Sequence, residues 1–208
     1  MKIIKLPVGR LGANCYITVC SKTNKAMVID PGDDADLIIQ TIQKENLTLD
    51  KITATHGHFD HVMAAFELQA AFGVPFFIHN KDMFLLKRLS KTAEYFLGEP
   101  IPALPPKEVS DLSKYKMLTV GKLHFEIIFT PGHTPGSVSL YNKEKKALFV
   151  GDVIFASGGR GRTDFSYCSD NDLQKSIDAL FKLPEEVTIY CGHGQETTIK
   201  DEKRLAYF

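Results

Sequence analysis

Three histidines and an aspartate lie close together in one short stretch of this chain, Thr55-His56-Gly57-His58-Phe59-Asp60-His61. Imidazole and carboxylate groups at this density are typical of a metal site, and an ordinary core element rarely contains them. A polar surface loop is the alternative reading of the stretch alone. If the stretch binds metal, the fold must bring these side chains, and further ligands from elsewhere, to one point.

The flanking residues indicate how the histidine stretch is held. Residues 52–55 predict a short buried strand, and the apolar spacing from Val62 onward predicts a helix. The candidate ligands would then lie on a strand-to-helix loop. We expect Asp60 to cap the helix, and Gly57 to leave room where two imidazoles converge.

Length and charge narrow the class of protein. The 208 residues, 44% of them hydrophobic, suit a single domain over residues 1–208 with a sizeable core. The formal net charge is zero, so the chain lacks the excess positive charge that is typical of a nucleic-acid-binding protein. We therefore expect a small-molecule substrate and no nucleic-acid partner.

The sequence also favours a cytoplasmic location. Lys5 and Pro7 interrupt the first residues before a signal-peptide core could form. No apolar run approaches the roughly 20 residues that a membrane helix needs, so we expect no membrane partner. The four cysteines contain no C-x-x-C pair, which fits free thiols in a reducing compartment.

Hydrophobic periodicity predicts two similar halves, each with strands followed by strand-helix units. The first half has predicted strands at 3–8, 14–20, 26–30 and 75–78 and helices at 34–45 and 81–90. The second half has predicted strands at 115–120, 123–129, 137–141, 147–151 and 187–191, a helix at 171–181 and a last helix after Thr197. Such halves indicate two sheets packed face to face with helices outside.

One segment departs from this pattern. Residues 91–108 include Pro100, Pro102, Pro105 and Pro106, and we expect them to be irregular. This segment, with Tyr95 and Phe96, is predicted to form a loop over the site or an interface.

Three further segments place a metal-binding residue where an apolar strand gives way to a glycine-rich turn. They are Thr130-Pro131-Gly132-His133-Thr134-Pro135-Gly136, Phe149-Val150-Gly151-Asp152 and Tyr190-Cys191-Gly192-His193-Gly194. Taken alone each is weak, since an aspartate after glycine is often a turn residue. Together with residues 56–61 they indicate one site assembled from distant parts of the sequence.

These motifs carry a family resemblance. T-H-G-H-F-D-H, P-G-H-T-P-G-S, G-D-V-I-F, G-R-T-D-F and G-H-G follow one another in the order found in the metallo-β-lactamase superfamily, and most closely resemble its small glyoxalase II-like (hydroxyacylglutathione hydrolase-like) members. The resemblance implies an α+β fold, a four-layer αβ/βα sandwich with two mixed β-sheets and helices on the outer faces. The metals would lie at one edge of the sheets.

The resemblance also implies a role for each candidate ligand. His56, His58 and His133 would bind a first metal, Asp60, His61 and His193 a second, and Asp152 would bridge them. Ligand chemistry supports two ions, because imidazole suits zinc and iron and seven ligands are too many for one tetrahedral zinc. We expect two Zn²⁺ per chain, with iron as the alternative metal.

In such a centre Asp60 and Asp152 would be catalytic through the metals they hold. Two cations about 3.5–4 Å apart would lower the pKa of a shared water toward ~7, giving a hydroxide nucleophile. The same cations would polarise the substrate carbonyl and stabilise the oxyanion.

Other polar residues have expected supporting roles or none. Asp30 and Thr55 could orient ligands, although Asp30 could equally be a plain turn residue. Arg162, Thr163 and Asp164, in the G-R-T-D segment, are expected to brace the site loop. His79 and His124 are assigned no metal role, and Cys191 is the cysteine nearest a candidate ligand.

The leading functional hypothesis is a dinuclear zinc hydrolase of thioesters, with S-lactoylglutathione as one candidate substrate. The chain ends at Phe208, and we expect it to lack the helical glutathione-binding domain of the full-length enzymes it resembles. A lactone hydrolase and a mononuclear iron persulfide dioxygenase are the enzymatic alternatives. A non-catalytic metal-binding scaffold is a third alternative. The metal content of the protein would distinguish a zinc hydrolase from an iron dioxygenase.

Overall fold

The computed structural model of the protein describes residues 1–206. The first half of the chain forms a six-stranded mixed sheet whose strands follow their sequence order. The strands are β1 (Lys2–Val8), β2 (Ala13–Val19), β3 (Lys25–Ile29), β4 (Thr48–Thr53), β5 (Phe76–Ile78) and β6 (Val109–Asp111). β1, β2 and β3 pair antiparallel, and β3 through β6 pair parallel.

The second half forms another six-stranded sheet, in the order β14-β13-β10-β9-β8-β7. Its strands are β7 (Met117–Val120), β8 (Leu123–Phe129), β9 (Val138–Asn142), β10 (Ala147–Gly151), β13 (Thr188–Cys191) and β14 (Thr197–Thr198). β13 pairs parallel to β10, and the other neighbours are antiparallel. A short ribbon of β11 (Ile154–Phe155) and β12 (Gly159–Arg160) follows β10.

The described residues contain six α-helices beside the sheets. They are α1 (Ala35–Lys44), α2 (Ala65–Phe72), α3 (Met83–Leu86), α4 (Leu89–Leu97), α5 (Asp170–Leu180) and α6 (Ile199–Ala206). Within residues 1–206, none of these helices combines the length and apolar character that crossing a membrane requires.

Alternating residues of buried strands divide the interior into three cores. In β3, Ala26 and Val28 pack in the core that contains residues of α1 and α2, whereas Met27 and Ile29 face the core between the two sheets. This follows from the two-residue period of a strand, which sends successive side chains to opposite faces. A strand that is apolar throughout is therefore covered on both sides.

β10 shows the same division in the second sheet. Ala147 and Phe149 pack in the core between the sheets, and Leu148 and Val150 pack in the core that contains residues of α5. Three cores separate four layers, so the predicted four-layer sandwich of two mixed sheets with helices outside is confirmed.

The segment 91–108 was wrongly predicted in its first part. α4 (Leu89–Leu97) runs through residues 91–97, with Leu89 and Ala93 buried. Gly98 ends it in a left-handed conformation at φ 76°, a common helix C-cap. The prolines begin only at Pro100, so they follow the helix and do not disrupt it.

The expected role of Asp60 is also corrected. Asp60 lies inside a 3₁₀ turn, Phe59–His61, and α2 begins only at Ala65, so Asp60 does not cap that helix. A Cβ on Gly57 would come within 3.0 Å of Leu85 and 3.1 Å of Asp82. The glycine therefore makes room for these two residues.

Candidate metal centre

The candidate ligands follow the carboxyl ends of strands in both sheets. His56 follows β4, His133 follows β8, Asp152 follows β10 and His193 follows β13. Strand ends are rigid supports, and these four meet at one edge of the sandwich. The structure brings all seven predicted ligands together there.

His56, His58 and His133 form the first group. One ring nitrogen from each lies within 4.8 Å of the others, and all three side chains are buried. His58 Nδ1 and His133 Nε2 are 2.9 Å apart. Such close imidazole nitrogens repel unless a proton or a cation lies between them.

Asp60, His61 and His193 form the second group, again with one ligand atom each within 4.8 Å. His193 Nε2 lies 3.3 Å from Asp60 Oδ2 and 3.3 Å from His61 Nε2. Two imidazoles and a carboxylate are a donor set that zinc and iron both accept.

Asp152 lies between the two groups. Its Oδ2 is 3.6 Å from His133 Nε2 and 3.7 Å from His193 Nε2, and its Oδ1 is 3.4 Å from His61 Nε2. The carboxylate thus faces both groups, as a bridging ligand must.

Each of the five histidines uses its other ring nitrogen for a partner outside the centre. The pairs are His56 Nδ1 with Thr55 Oγ1 (3.1 Å), His58 Nε2 with the Tyr167 hydroxyl (2.9 Å), His61 Nδ1 with Asp30 Oδ2 (3.2 Å), His133 Nδ1 with the Arg162 carbonyl (2.8 Å) and His193 Nδ1 with the Leu11 carbonyl (3.2 Å). A carbonyl oxygen can only accept, so His133 and His193 donate from Nδ1 and turn Nε2 toward the centre. Outer partners of this kind fix the tautomer of metal-binding histidines.

Two buried atoms at the centre lack a partner. His56 Nε2 and Asp152 Oδ1 make no hydrogen bond within the described part of the chain. Buried polar atoms are nearly always paired, because leaving one unpaired costs free energy. Cations at the centre would satisfy both atoms, so the residues present fit two divalent metal ions.

Burial keeps the first group neutral. Desolvation, reinforced by neighbouring histidines, holds the pKa of His56 well below its usual value. The same causes lower the pKa of His58 to about 3, and burial also lowers the pKa of His133. Neutral imidazoles are the form that binds metal.

The second group is dominated by its carboxylates. Burial alone would lower the pKa of His61, but Asp152 and Asp60 outweigh it and raise that pKa to about 10. The pKa of His193 is also raised, since its hydrogen bond to Asp60 and the charge of Asp152 outweigh burial. A buried centre with this much negative charge favours a cation.

Asp30 has the orienting role that the sequence left open. Its carboxylate accepts hydrogen bonds from the Thr55 backbone N–H (2.6 Å) and hydroxyl (2.7 Å) and contacts His61 Nδ1. Asp30 therefore supports His61 directly and His56 through Thr55, and it is more than a turn residue.

The remaining sequence candidates lie where they cannot bind a metal at this centre. His79 stacks on Phe129 with ring centroids 4.8 Å apart, and His124 is an exposed residue of β8. Cys191 is buried, and burial raises the pKa of its thiol to about 12. Arg162 contributes its backbone carbonyl to His133, while its side chain pairs with Asp164.

Sequence reasoning missed Tyr167 and the carbonyl of Leu11. Tyr167 is separated from His58 by 109 positions, and Leu11 from His193 by 182. A backbone carbonyl has no sequence signal, and one tyrosine in a turn has no distinguishing pattern.

An aromatic wall made of Phe96, Phe165 and Tyr167 lies beside His58. Phe165 stacks on Tyr167 with centroids 5.4 Å apart and meets the edge of Phe96 at 6.2 Å. Phe96 also stacks on Phe59, at 5.8 Å, within the histidine stretch. The wall joins α4 to the segment after Arg162 and borders the centre on one side.

The chain is similar to known proteins over nearly its whole length. Residues 8–193 match the family described as the Metallo-beta-lactamase superfamily. A protein of Haemophilus influenzae named hydroxyacylglutathione hydrolase GloC is 40% identical over 206 residues, which is 98% of this chain and 96% of the relative.

Two solved structures share the architecture closely. The BLEG-1 B3 metallo-beta-lactamase is 34% identical with a TM-score of 0.88, over 98% of this chain and 97% of that one. TTHA1623 in a di-iron-bound form is 33% identical with a TM-score of 0.88, over 97% of this chain and 98% of that one.

Proposed function

This chain belongs to the metallo-beta-lactamase superfamily, and from that premise we propose that it is a dinuclear metal-dependent hydrolase of thioesters, with zinc as its metal. The observation that carries the proposal is the position of Asp152, which faces two groups of three ligands. A single metal would need only one of these groups.

The residues of the chain have distinct tasks in this reaction. His56, His58 and His133 would hold one ion, Asp60, His61 and His193 the other, and Asp152 both. When bound, the two ions would supply Lewis acidity, which lowers the pKa of water and polarises a carbonyl. The protein fixes the ligand tautomers through their outer partners, so little reorganisation is needed during the reaction.

The aromatic wall supplies a surface for the substrate. Tyr167 contacts His58 directly, and Phe96 is 39% exposed beside it. We propose that the apolar part of a thioester packs against Phe96 and Phe165 while its carbonyl reaches the centre. Phe96 of the segment 91–108 would then border the substrate, as expected for a segment over the site, although it lies on the helix α4.

The similarity to a protein named hydroxyacylglutathione hydrolase makes S-lactoylglutathione the first substrate to test. Zinc-loaded protein should release thiol from it, and also from short acyl thioesters of other thiols. Asp152→Ala protein treated with the same zinc concentration is the matched control. If the zinc-loaded protein releases no thiol from any thioester of this panel, the proposal is wrong.

Iron chemistry is the alternative, favoured by the solved relative in a di-iron-bound form. The panel should therefore include iron-loaded protein with a persulfide, followed by oxygen uptake. A lactone tests the other hydrolytic alternative, and a β-lactam is included because of the similarity to a B3 metallo-beta-lactamase. If the protein turns over the persulfide, the lactone or the β-lactam rapidly and does not cleave a thioester, the proposed substrate class is wrong.

We also propose the cellular compartment and the partner molecule of the enzyme. All four cysteines are free thiols in the structure. This supports a reducing, cytoplasmic compartment, with a small thioester as the partner molecule.

A further inference from the structure

Asp82 is a buried carboxylate outside the set of candidate ligands. It lies at the end of a 3₁₀ turn, Asn80–Asp82, just before α3, and its exposed fraction is 0%. A buried aspartate without a cationic partner is unusual, because burial disfavours its charge. Its hydrogen bonds must therefore account for its presence.

The Asp82 carboxylate joins two ligand-bearing loops. Its Oδ2 accepts hydrogen bonds from the Gly57 backbone N–H (2.8 Å) and the Thr134 hydroxyl (2.6 Å). Its Oδ1 accepts one from the Gly136 backbone N–H (2.7 Å). Gly57 lies between His56 and His58, and Thr134 directly follows His133.

We propose that Asp82 is a positioning residue that sets the His56–His58 loop against the His133 loop, and thereby sets the affinity of the first group for metal. This inference rests on the proposed function, because it assumes that the first group binds an ion. Asp82 itself touches neither metal nor substrate in this proposal.

The packing around Asp82 supports so specific a role. A Cβ on Gly136 would come within 2.6 Å of the Asp82 carboxyl carbon, and one on Gly57 within 3.1 Å of the Asp82 Cβ. Both glycines therefore allow the loops to close directly onto this carboxylate.

An amide cannot replace the carboxylate here. All three partners donate, and both oxygens accept from a backbone N–H. Asparagine would turn its NH₂ toward either Gly57 or Gly136, so one buried N–H would face another donor. Asp82→Asn should therefore break the link between the two loops with almost no change in the shape of the side chain.

The second group is held by other contacts, which makes the proposal selective. His61 is supported by Asp30, and His193 by the Leu11 carbonyl. Loss of the Asp82 contacts should therefore weaken one group and spare the other, whereas a general folding role would weaken both.

The test measures Zn²⁺ affinity by competition with a chromophoric chelator in two backgrounds. In His193→Ala, binding reports the first group, and in His133→Ala it reports the second. Adding Asp82→Asn should weaken Zn²⁺ binding about 10- to 100-fold in the first background, the range seen for outer-sphere partners. In the second background the change should stay under about threefold, since His61 and His193 are supported by Asp30 and Leu11 and not through the Asp82 contacts.

Glu202→Gln is the matched control. Glu202 is also buried and also accepts from two backbone N–H groups and a threonine hydroxyl, those of Ser157, Gly158 and Thr197. It should lower the melting temperature of the metal-free protein without a selective loss of Zn²⁺ affinity in the His193→Ala background. If Asp82→Asn does not fold, Thr134→Val serves in its place, because it removes one of the three donors. It should weaken Zn²⁺ binding in the His193→Ala background by about threefold or more.

The outcomes separate the two proposals. Equal weakening in both backgrounds, or none in either, overturns the positioning role while leaving the metal centre in place. A wild-type protein that binds no divalent metal overturns the proposed function, and the role of Asp82 with it.

Discussion

The five histidines of the centre each present one nitrogen inward and commit the other to the protein. Two of the outer partners are backbone carbonyls, of Arg162 and Leu11, which cannot reverse their role. The Nε2 atoms of His133 and His193 are therefore directed at the centre without a metal. Preorganised ligands lose little freedom on binding.

Asp152→Ala should remove both metal and activity. The carboxylate faces both groups, so its loss would leave two cations close together with less compensating charge. We expect bound zinc to fall below one ion per chain and turnover to fall by at least about a hundredfold. Zinc analysis with kinetics checks this, and a variant with two metals and a near-normal rate would contradict the bridging role.

His79→Ala and His124→Ala should leave metal content unchanged. His79 packs against Phe129 and accepts a hydrogen bond from the Lys81 N–H, and His124 is exposed on β8. A modest loss of stability, up to about 1–2 kcal/mol for His79, is expected from lost packing. The measurement is zinc per chain, and loss of one equivalent in either variant would overturn the ligand assignment.

At the scale of elements, the sequence predicted the ligands at the strand ends but not the residues that hydrogen-bond to the ligand loops. The histidine stretch is local, and the glycine-flanked His133, Asp152 and His193 follow strands whose apolar runs are plain in the sequence. Asp82 and Tyr167 were missed because their partners lie 52 and 109 positions away. Contacts of that range depend on how the two sheets pack, which periodicity alone does not determine.

The wrongly predicted helix within 91–108 shows a related limit. Four prolines in a short segment made the whole segment read as irregular, yet α4 ends before the first of them. Element boundaries depend on caps such as Gly98, whose left-handed conformation is a property of the fold and not of composition.

Phe96→Ala should raise KM more than it lowers kcat. The side chain belongs to the aromatic wall and is not a candidate ligand, so it would contribute binding common to the ground and transition states. We expect KM for S-lactoylglutathione or a short acyl thioester to rise about 3- to 30-fold with kcat within about threefold.

Leu104→Ala is the control for the wall, since Leu104 is a similarly exposed apolar residue beyond α4. Its KM should stay within about twofold of the wild type. Equal KM values for Phe96→Ala and the wild type would show that substrate does not contact the wall.

At the scale of the whole molecule, each sheet supplies part of each candidate ligand group. His56, His58, Asp60 and His61 follow β4 in the first sheet, and His133, Asp152 and His193 follow strands of the second. The core between the sheets therefore sets the distance between the two sets of ligands. The sandwich was predicted correctly from the two similar halves of strands and strand-helix units.

Phe149→Ala should test that dependence. Phe149 is buried between the sheets, with its ring 5.2 Å from Tyr16 and 4.8 Å from Tyr190. Truncation should cost about 3–5 kcal/mol of unfolding free energy and weaken zinc binding, whereas Met117→Ala, 49% exposed on β7, should cost about 0.5 kcal/mol or less. Chemical denaturation of metal-free and zinc-loaded protein measures both, and unchanged zinc affinity in a destabilised Phe149→Ala would show that the centre does not depend on this core.

The proposed function requires that one chain holds two metal ions that serve hydrolysis. Elemental analysis of the purified protein tests this directly when it is combined, on the same sample, with a thioesterase assay and an oxygen-uptake assay. We expect about two zinc ions per chain and thiol release from a thioester without oxygen consumption. A single iron per chain with persulfide-dependent oxygen uptake would contradict it.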